Sequence, residues 1–394
     1  MPRRETKRGA DRTPLSGEWD VLVCGASFAG LAVARELAGT GARTLIVDRY
    51  EVGERQTSAC GIPTSWLHAM GLEESLQQTF PDLVVHTPHG SVRWKLPWTF
   101  STFDYRTLCR LLRAQSAGSA DFETAKVEGR IPGGVRTDRG DLHAPLVVDA
   151  LGWRRVLGGG ENVQPPEAYL SRGLEVHPHG RGEDLELWID RRYVRAGYAW
   201  SFPADGELRV GIGSFDPRPP VKAETVQLAQ DLGVPAVRYQ GNWIPHRIRP
   251  ATEDGVFFAG DSAGHCIPTT AEGIRTALYF GVACGRELRA VVEGRRTRDE
   301  ALRRYHAFSA EHRWKFEAMK RVQDLVPRIP PRALVRVLQG FGRRRATDWF
   351  FDHYLRIAPP EFAGPAPGRS GLRAAPLAVQ DRHFTADIAV NCRT

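Results

Sequence analysis

Residues 20–48, DVLVCGASFAGLAVARELAGTGARTLIVD, decide the fold of this chain. The short apolar run at residues 21–23 is typical of a buried parallel strand. It is followed by a glycine-containing turn and by a helical pattern from about Phe28 to Thr40. A second apolar strand, residues 44–47, ends at Asp48. The order of strand, turn, helix, strand and acid predicts a βαβ unit.

The turn of this unit has the features of a dinucleotide site. Gly25 permits a tight turn, and Gly30 lets the helix pack closely on the sheet. The helix N-terminus would then face a pyrophosphate, and the carboxylate of Asp48 would accept hydrogen bonds from the hydroxyls of a ribose. Ser27 replaces the middle glycine of the usual Gly-x-Gly-x-x-Gly pattern, and its hydroxyl can donate to a phosphate oxygen. The alternative is an ordinary βαβ turn without a ligand.

Composition limits the class of protein. The chain has 394 residues, a net charge of +8 and 42% hydrophobic residues, which suit a soluble protein with two domains and no transmembrane helix. The positive charge fits an anionic lipid surface or a phosphorylated substrate; nucleic acid is not expected because no nucleic-acid motif is present. Six cysteines without a CxxC pair indicate free thiols, a cytoplasmic location and no metal site. They are Cys24, Cys60, Cys109, Cys266, Cys284 and Cys392.

Hydrophobic patterning divides the chain into regions. Alternating strands between about 171 and 215 predict an antiparallel sheet that roofs a cavity, whereas residues 249–295 return to the strand-then-helix pattern. The dinucleotide domain is therefore expected to be discontinuous. The expected regions are 1–16, a disordered basic extension that is not a secretory signal; 17–82, 100–160 and 249–295, the dinucleotide domain; 83–99 and 161–248, the substrate domain; 296–358, C-terminal helices at about 299–325, 332–339 and 347–357; and 359–394, a loosely ordered tail.

A second motif, GDSAGHCIPTTAEGI at residues 260–274, lies between a predicted strand and a predicted helix. Asp261 can accept a hydrogen bond from a ribityl hydroxyl, and Pro268 would fix the loop. Gly273 and Ile274 place backbone N–H groups at a helix N-terminus, where they stabilise negative charge on a reduced flavin. Two such motifs about 230 residues apart fit FAD better than NAD. The alternative is a second turn that only packs.

These stretches resemble the p-hydroxybenzoate hydroxylase-type FAD fold over roughly residues 18–330. Within that superfamily, Tyr-Ala-Trp-Ser-Phe-Pro at residues 198–203, followed by Val-Gly-Ile-Gly at residues 210–213, is similar to a motif of the geranylgeranyl reductase family. Cys60-Gly61 stands where those reductases carry a flavin-proximal Cys-Gly-Gly loop. The resemblance implies an α/β protein with a discontinuous Rossmann-like FAD domain, an inserted antiparallel substrate sheet and a helical C-terminus.

The resemblance also implies a set of cofactor contacts. The electron donor, NAD(P)H or a small redox protein, is left open. The expected FAD-binding residues are Gly25, Ser27, Phe28, Ala29, Gly30, Asp48, Arg49, Cys60, Gly61, Arg106, Val127, Asp149, Gly260, Asp261, Pro268, Gly273 and Ile274.

The implied chemistry is reduction of an isolated C=C bond, with hydride from flavin N5 to one carbon and a proton to the other. Tyr198, Trp200 and Phe202 alternate along a strand and so share one face, which suits a polyprenyl chain; the alternative is that they are core residues. Cys60 is a candidate catalytic residue or an inert buried thiol. His265 and Glu272 are candidate proton relays, although a solvated loop role is the preferred interpretation.

The C-terminal helices carry basic and aromatic side chains that suit either a peripheral membrane contact or packing on the catalytic domain. These are Trp314, Lys315, Phe316, Lys320, Trp349, Phe350, Phe351 and Tyr354. The leading functional hypothesis is an FAD-dependent prenyl reductase. The alternatives are a flavin-dependent monooxygenase or halogenase acting on a small aromatic or natural-product substrate, and a non-catalytic, membrane-binding flavoprotein.

Overall fold

The computed structural model describes residues 13–56, 58–159 and 168–364. Most of the expected basic extension, most of the expected C-terminal tail and Cys392 therefore lie outside the described residues.

Within these ranges the chain forms nine α-helices, numbered here in chain order. They are α1 Phe28–Glu36, α2 Thr64–Met70, α3 Tyr105–Gln115, α4 Lys222–Asp231, α5 Ile274–Val292, α6 Arg298–Glu311, α7 Arg313–Leu325, α8 Pro331–Phe341 and α9 Arg344–Leu355.

The same part of the chain contains eighteen β-strands. They are β1 Gly17–Glu18, β2 Val21–Cys24, β3 Thr44–Asp48, β4 Gly61–Pro63, β5 Leu76–Thr87, β6 Gly90–Phe103, β7 Ala120–Thr124, β8 Val127–Ile131, β9 Gly134–Thr137, β10 Gly140–His143, β11 Leu146–Asp149, β12 Leu170–Val176, β13 Leu185–Trp188, β14 Gly197–Pro203, β15 Leu208–Ser214, β16 Gln240–Pro245, β17 Thr252–Glu253 and β18 Val256–Phe258.

A six-stranded sheet in the order β17-β18-β11-β2-β3-β7 contains the predicted βαβ unit. All its strand pairs are parallel except β17–β18. The residues of β2 are completely buried, as the apolar run predicted. Helix α1 ends at Glu36 rather than Thr40, because Gly39 and Gly41 adopt left-handed backbone conformations that an α-helix cannot continue through. Strand β18 joins this sheet from more than 100 residues away, which confirms that the fold is discontinuous in sequence.

Small residues let the two long helices of this region pack closely. A Cβ atom on Gly30 would lie 1.9 Å from the carbonyl oxygen of Gly25, so only glycine fits in α1 at that turn. On α5, a Cβ atom on Gly281 would lie 2.6 Å from the carbonyl oxygen of Ala29. Helices α1 and α5 therefore come into backbone contact over the parallel sheet.

A second, eight-stranded sheet has the order β16-β12-β15-β14-β13-β5-β6-β4. The β5–β6 hairpin begins before and ends after the 83–99 segment that was expected in the substrate domain, and β4 and β16 were not predicted as members of this sheet. The sheet is also not wholly antiparallel, since β13 pairs with β5 in parallel. Helix α4, which the sequence pattern also missed, packs on β12 and β15. A third sheet, β1-β10-β9-β8, has four strands.

The C-terminal helices close the space beside the large sheet. Trp94 and Trp98 of β6 donate indole hydrogen bonds to the carbonyl oxygens of Leu338 and Phe351, at 3.1 and 3.4 Å. The predicted helix at residues 299–325 is two helices, which meet at His312. The imidazole of His312 packs against an aromatic cluster that includes Phe280 and Phe308. No helix among the described residues has the length and apolarity needed to cross a bilayer.

The close approach at Gly30 yields a stability prediction. Gly30→Ala forces a Cβ atom against the Gly25 carbonyl, and we expect it to lower the free energy of unfolding by about 3 kcal/mol. Gly340→Ala is the matched control, since a Cβ atom there meets no other atom within 4 Å; it should stabilise α8 by about 0.5–1 kcal/mol. Urea denaturation of both variants checks this, and equal stabilities would contradict the packing described.

Candidate active site

A single cavity of about 1190 Å³ connects the two motifs predicted from the sequence. It is bounded by the turn before α1, the loop before α5, one face of the eight-stranded sheet and helices α7–α9. Its walls are polar beside the two turns and apolar beside the C-terminal helices. The cavity therefore has a polar end and an apolar arm.

The polar end includes the N-terminus of α1. Gly25 adopts a positive φ of 113°, and a Cβ atom there would lie 2.2 Å from the Ala150 carbonyl oxygen. Ser27 is the N-cap residue of α1 but makes no side-chain capping hydrogen bond, so the N–H groups of the first turn keep their donor capacity. Ser27, Phe28 and Ala29 line the cavity, as expected for an anion site at a helix N-terminus. The Ser27 hydroxyl lies 3.2 Å from that of Tyr105, a contact that the sequence did not indicate.

Asp48 stands at the end of β3 and holds this turn in place. Its carboxylate accepts hydrogen bonds from the backbone N–H groups of Ala26 (2.8 Å) and Tyr50 (3.0 Å). Burial raises the pKa of Asp48, although these two donors oppose the shift. Asp48 and Arg49 line the cavity, as does Val127. Cations that the sequence did not single out lie in the same wall: Arg55, Lys126 and Arg154.

The loop before α5 lies in the same cavity. Gly260, Asp261, Gly273 and Ile274 all line it, and α5 begins at Ile274 without a side-chain cap. Burial raises the pKa of Asp261 to about 6, against the opposing charge of Arg249. Two uncapped helix N-termini, of α1 and α5, thus border one space, a geometry suited to a long ligand with a pyrophosphate and an electron-rich ring.

Several predicted cofactor residues do not reach the cavity. Asp149 is completely buried, and its carboxylate accepts hydrogen bonds from Leu151 N, Leu157 N and the Ser262 hydroxyl at 2.7–3.0 Å. It therefore braces the loop before α5 instead of contacting a cofactor directly. Arg106 and Pro268 are likewise not part of the cavity wall.

Arg106 has a packing role that explains its position. A Cβ atom on Gly53 would lie 2.8 Å from the Arg106 Cα atom, so the backbone of α3 packs directly on the loop that follows β3. Pro268 directly precedes the lining residue Thr269 in the same loop.

Cys60 also lies outside the cavity lining, although Ala59 and Gly61 belong to it. Its side chain is completely buried, and the thiol donates to the Ser58 carbonyl oxygen at 3.1 Å. Burial raises the pKa of the Cys60 thiol far above its usual range, which keeps the thiol protonated. The structure thus favours the inert-thiol interpretation over the catalytic one.

The preferred interpretation of His265 and Glu272 as solvated loop residues is wrong, because both are buried. His265 stacks on Phe280 with the ring centroids 3.7 Å apart, and burial lowers the pKa of its imidazole. Its Nε2 atom lies 2.9 Å from the Ser309 hydroxyl, away from the cavity wall. Glu272 does line the cavity but is held by Arg275 at 2.7 and 2.8 Å.

The three aromatic side chains of β14 all line the cavity, which confirms that Tyr198, Trp200 and Phe202 share one face. The Tyr198 hydroxyl donates to the Thr270 carbonyl oxygen at 2.5 Å and so ties the large sheet to the loop before α5. The indole of Trp200 lies over β15, where a Cβ atom on Gly211 would come within 2.4 Å of its ring. The glycines of the Val-Gly-Ile-Gly segment therefore make room for this aromatic face.

A buried charged cluster supports Trp200. Its indole N–H donates to Glu175 at 3.2 Å, and His177 lies between Glu175 (3.0 Å) and Glu207 (3.2 Å). Burial alone lowers the pKa of His177, but the hydrogen bonds and charges of the two carboxylates outweigh it and raise the pKa to about 9. The available sequence signal is the Glu-x-His spacing at the end of β12, where Glu175 is on the strand and His177 directly follows it. Glu207 was not foreseeable from that segment.

The apolar arm extends from the aromatic face to the C-terminal helices. Of the predicted membrane-contact residues, Trp314 and Trp349 are exposed, whereas Phe316, Phe351 and Tyr354 are buried. The three buried side chains therefore pack within the protein, whereas the two exposed tryptophans do not. Residues that line the arm include Leu83, Val85, Leu185 and Leu187 from the sheet and Met319, Leu334, Leu338 and Phe350 from the helices.

The curated proteins that this chain resembles include several digeranylgeranylglycerophospholipid reductases. Digeranylgeranylglycerophospholipid reductase 2 of Methanothermobacter thermautotrophicus is 25% identical over 78% of this chain and 86% of the relative. Its counterpart in Methanopyrus kandleri is 26% identical over 76% of this chain and 83% of the relative. No protein-family model matches the chain.

Among solved structures, a geranylgeranyl bacteriochlorophyll reductase-like protein from Thermoplasma acidophilum superposes with a TM-score of 0.76 and 17% identity, covering 88% of this chain and 98% of that one. Both comparisons thus support a likeness to the geranylgeranyl reductase-like FAD-dependent oxidoreductases, at modest sequence identity. A flavin-dependent brominase shares the fold at a TM-score of 0.65 and 14% identity, over 87% of this chain. Fold alone therefore does not separate a reductase from the other enzymes built on it.

The polar end of this geranylgeranyl reductase-like chain fits FAD. The glycine turn has no space for a side chain at residue 25, and the uncapped first turns of α1 and α5 offer N–H donors toward the two halves of such a molecule. Asp48 and Asp261 add carboxylates in the same wall, where sugar hydroxyls can donate to them. Further along the wall, Arg55 and Lys126 supply positive charge for a pyrophosphate.

The cluster beneath Trp200 predicts a pH dependence of stability. Because the folded-state pKa of His177 is raised to about 9, its contribution is fully present below pH 6.5 and is lost as the pH rises through 9. We expect His177→Gln to lower the free energy of unfolding by about 3 kcal/mol at pH 6, and by progressively less towards pH 10.

A matched control is His246→Gln. This imidazole is equally buried, but burial lowers its pKa to about 4, so it is neutral throughout that range. The effect of His246→Gln should stay constant between pH 6 and pH 10. Urea denaturation at several pH values measures both variants, and a constant effect of His177→Gln would show that the imidazole is not held as a cation.

Proposed function

We propose that this chain is an FAD-dependent reductase that saturates C=C bonds of a geranylgeranyl or related polyprenyl group. The observation that carries the proposal is the shape of the cavity: one continuous space joins both cofactor motifs to an arm lined by apolar side chains. Its volume of about 1190 Å³ exceeds the roughly 300–1,000 Å³ of most small-molecule sites. A cofactor and a long second ligand can therefore share it.

The polar end is assigned to the cofactor. The N-termini of α1 and α5 would bind the pyrophosphate and the electron-rich edge of the ring, and the Asp48 carboxylate would accept hydrogen bonds from the ribose hydroxyls. FAD, when bound and reduced, supplies the hydride that is added to one alkene carbon. The proposed electron donor to FAD is NAD(P)H or a small redox protein.

The aromatic face is assigned to the reacting part of the substrate. Tyr198 is fixed by its hydrogen bond to Thr270, and Trp200 by its hydrogen bond to Glu175, so both rings are held before a substrate arrives. Fixed aromatic walls orient an alkene and exclude water from it, which lowers the entropic cost of reaching the reactive geometry. Phe202 and Phe100, with ring centroids 6.4 Å apart, extend the same wall.

The apolar arm is assigned to the rest of the prenyl chain. An isoprenoid offers no hydrogen-bonding groups along its length, so an unbroken apolar lining is what its burial requires. A small aromatic substrate of a monooxygenase or halogenase would leave most of this arm unfilled. The length of the arm therefore favours the prenyl reductase over that alternative.

Anaerobic turnover tests the proposal directly. Protein reconstituted with FAD and photoreduced with EDTA as the sacrificial electron donor needs no biological electron donor. We expect it to add two hydrogens per reduced double bond to members of a prenyl-lipid panel, detected by mass spectrometry. The same mixture kept dark and oxidised is the control. An unchanged panel, combined with oxygen consumption coupled to a small aromatic substrate, would instead support a monooxygenase; vesicle binding without any turnover would support a non-catalytic flavoprotein.

Cys60 provides a second test. Because its thiol lies outside the cavity lining, we expect Cys60→Ala to keep most of the alkene-reduction rate. Removal of a general acid would instead lower the rate by about 100-fold or more. Cys284→Ala, at another completely buried thiol, controls for the loss of packing. Rates under anaerobic single-turnover conditions measure both. A loss of about 100-fold or more in the Cys60 variant alone would restore its catalytic assignment.

A further inference from the structure

The apolar arm of the cavity reaches the surface at a lip formed by two helices. Val322 and Leu325 of α7, and Val337 and Phe341 of α8, line the cavity and are nevertheless 40–54% exposed. We call these four side chains the lip. Exposed apolar side chains grouped around an opening indicate an interaction surface rather than isolated surface residues.

The lip is embedded in positive charge. Residues 321–345 contain seven arginines, all exposed, and one acid, Asp324, which is already paired with Lys320 at 2.5 Å. Arg344 has an acidic neighbour, Asp348, at 3.6 Å. The arginines are Arg321, Arg328, Arg332, Arg336, Arg343, Arg344 and Arg345. Apolar side chains surrounded by arginine match the layered chemistry of a bilayer with anionic headgroups.

We propose that the lip docks on an anionic lipid bilayer and that the prenyl chain enters the cavity there. The proposal deepens the proposed function and rests on it, since a polyprenyl lipid must leave a membrane to reach the aromatic face. The lip would contact the acyl boundary, while the arginines contact lipid phosphates. Lipid and protein would then form one continuous apolar path.

Charge argues against two other occupants of the lip. A second copy of this chain in a two-fold interface would set the seven arginines against their own equivalents. The C-terminal residues 365–394 carry four arginines and two aspartates, so their own charge is also positive. A surface of the opposite sign, such as a membrane rich in anionic lipid, is the complementary partner.

Vesicle sedimentation of the full chain tests the docking. We expect binding to vesicles of equal parts phosphatidylglycerol and phosphatidylcholine to be at least about tenfold tighter than binding to phosphatidylcholine alone, and to weaken with added salt. Val337→Asp/Phe341→Asp should abolish most of this binding. Val237→Asp is the matched control, because Val237 is 42% exposed but lies outside the cavity lining. Equal, weak binding of the wild type to both vesicles would overturn the proposal.

A charge variant separates docking from catalysis. Neither Arg332 nor Arg336 lines the cavity, so Arg332→Gln/Arg336→Gln should reduce turnover of vesicle-embedded prenyl lipid by about tenfold while leaving turnover in detergent micelles unchanged. Arg110→Gln/Arg303→Gln makes the same charge change on exposed parts of α3 and α6 and should affect neither.

Two further outcomes discriminate between the proposals. Wild-type protein that binds anionic vesicles but reduces no prenyl lipid in vesicles or micelles would contradict the proposed function and leave the docking intact. A concentration-dependent dimer in analytical ultracentrifugation that Val337→Asp/Phe341→Asp dissolves would show that a second copy covers the lip, and the docking would then be wrong.

Discussion

The junction between the loop before α5 and the C-terminal helices depends on one buried ion pair. Arg275, in the first turn of α5, is completely buried and bound by Glu272 at 2.7 and 2.8 Å, while its remaining nitrogen donates to the carbonyl oxygens of Tyr354, Leu355 and Ala358. Desolvating such a pair is costly, so its main effect is to specify one arrangement rather than to add stability. That arrangement fixes the end of α9, and with it the wall of the apolar arm, to the loop that borders the cofactor.

The sequence predicted those parts of the site whose geometry is set by residues close together in the chain. The need for glycine at positions 25 and 30 can be recognised within a single strand-to-helix turn. The shared face of Tyr198, Trp200 and Phe202 follows from the two-residue period of a strand. The failures involve distant partners. Asp149 became a brace because Ser262, 113 residues away, donates to it. No local pattern contains that information.

The same reasoning explains the fold-level errors. The length of the β5–β6 hairpin was underestimated because large parts of both strands are only partly buried and lack a strict alternation of apolar side chains. The division between α6 and α7 has no proline or glycine to mark it, since the cause is packing of His312 against aromatic residues of α5 and α6. Buried charge was the hardest feature to foresee. A Glu-x-His pair is common in sequences, and it is the second carboxylate, that of Glu207 just before β15, that completes the surroundings of the His177 cation.

The direction of substrate entry follows from how the cavity is divided. In the proposed assignment, a cofactor held by the turns at α1 and α5 would fill the polar end, which would leave the aromatic face as its boundary with the apolar arm. The apolar arm offers a flexible isoprenoid a route to that boundary along apolar side chains. An apolar chain gains most from this route if it never crosses water. The exposed lip at α7 and α8 therefore has a physical reason: it lets the arm open where a membrane, rather than solvent, would meet it.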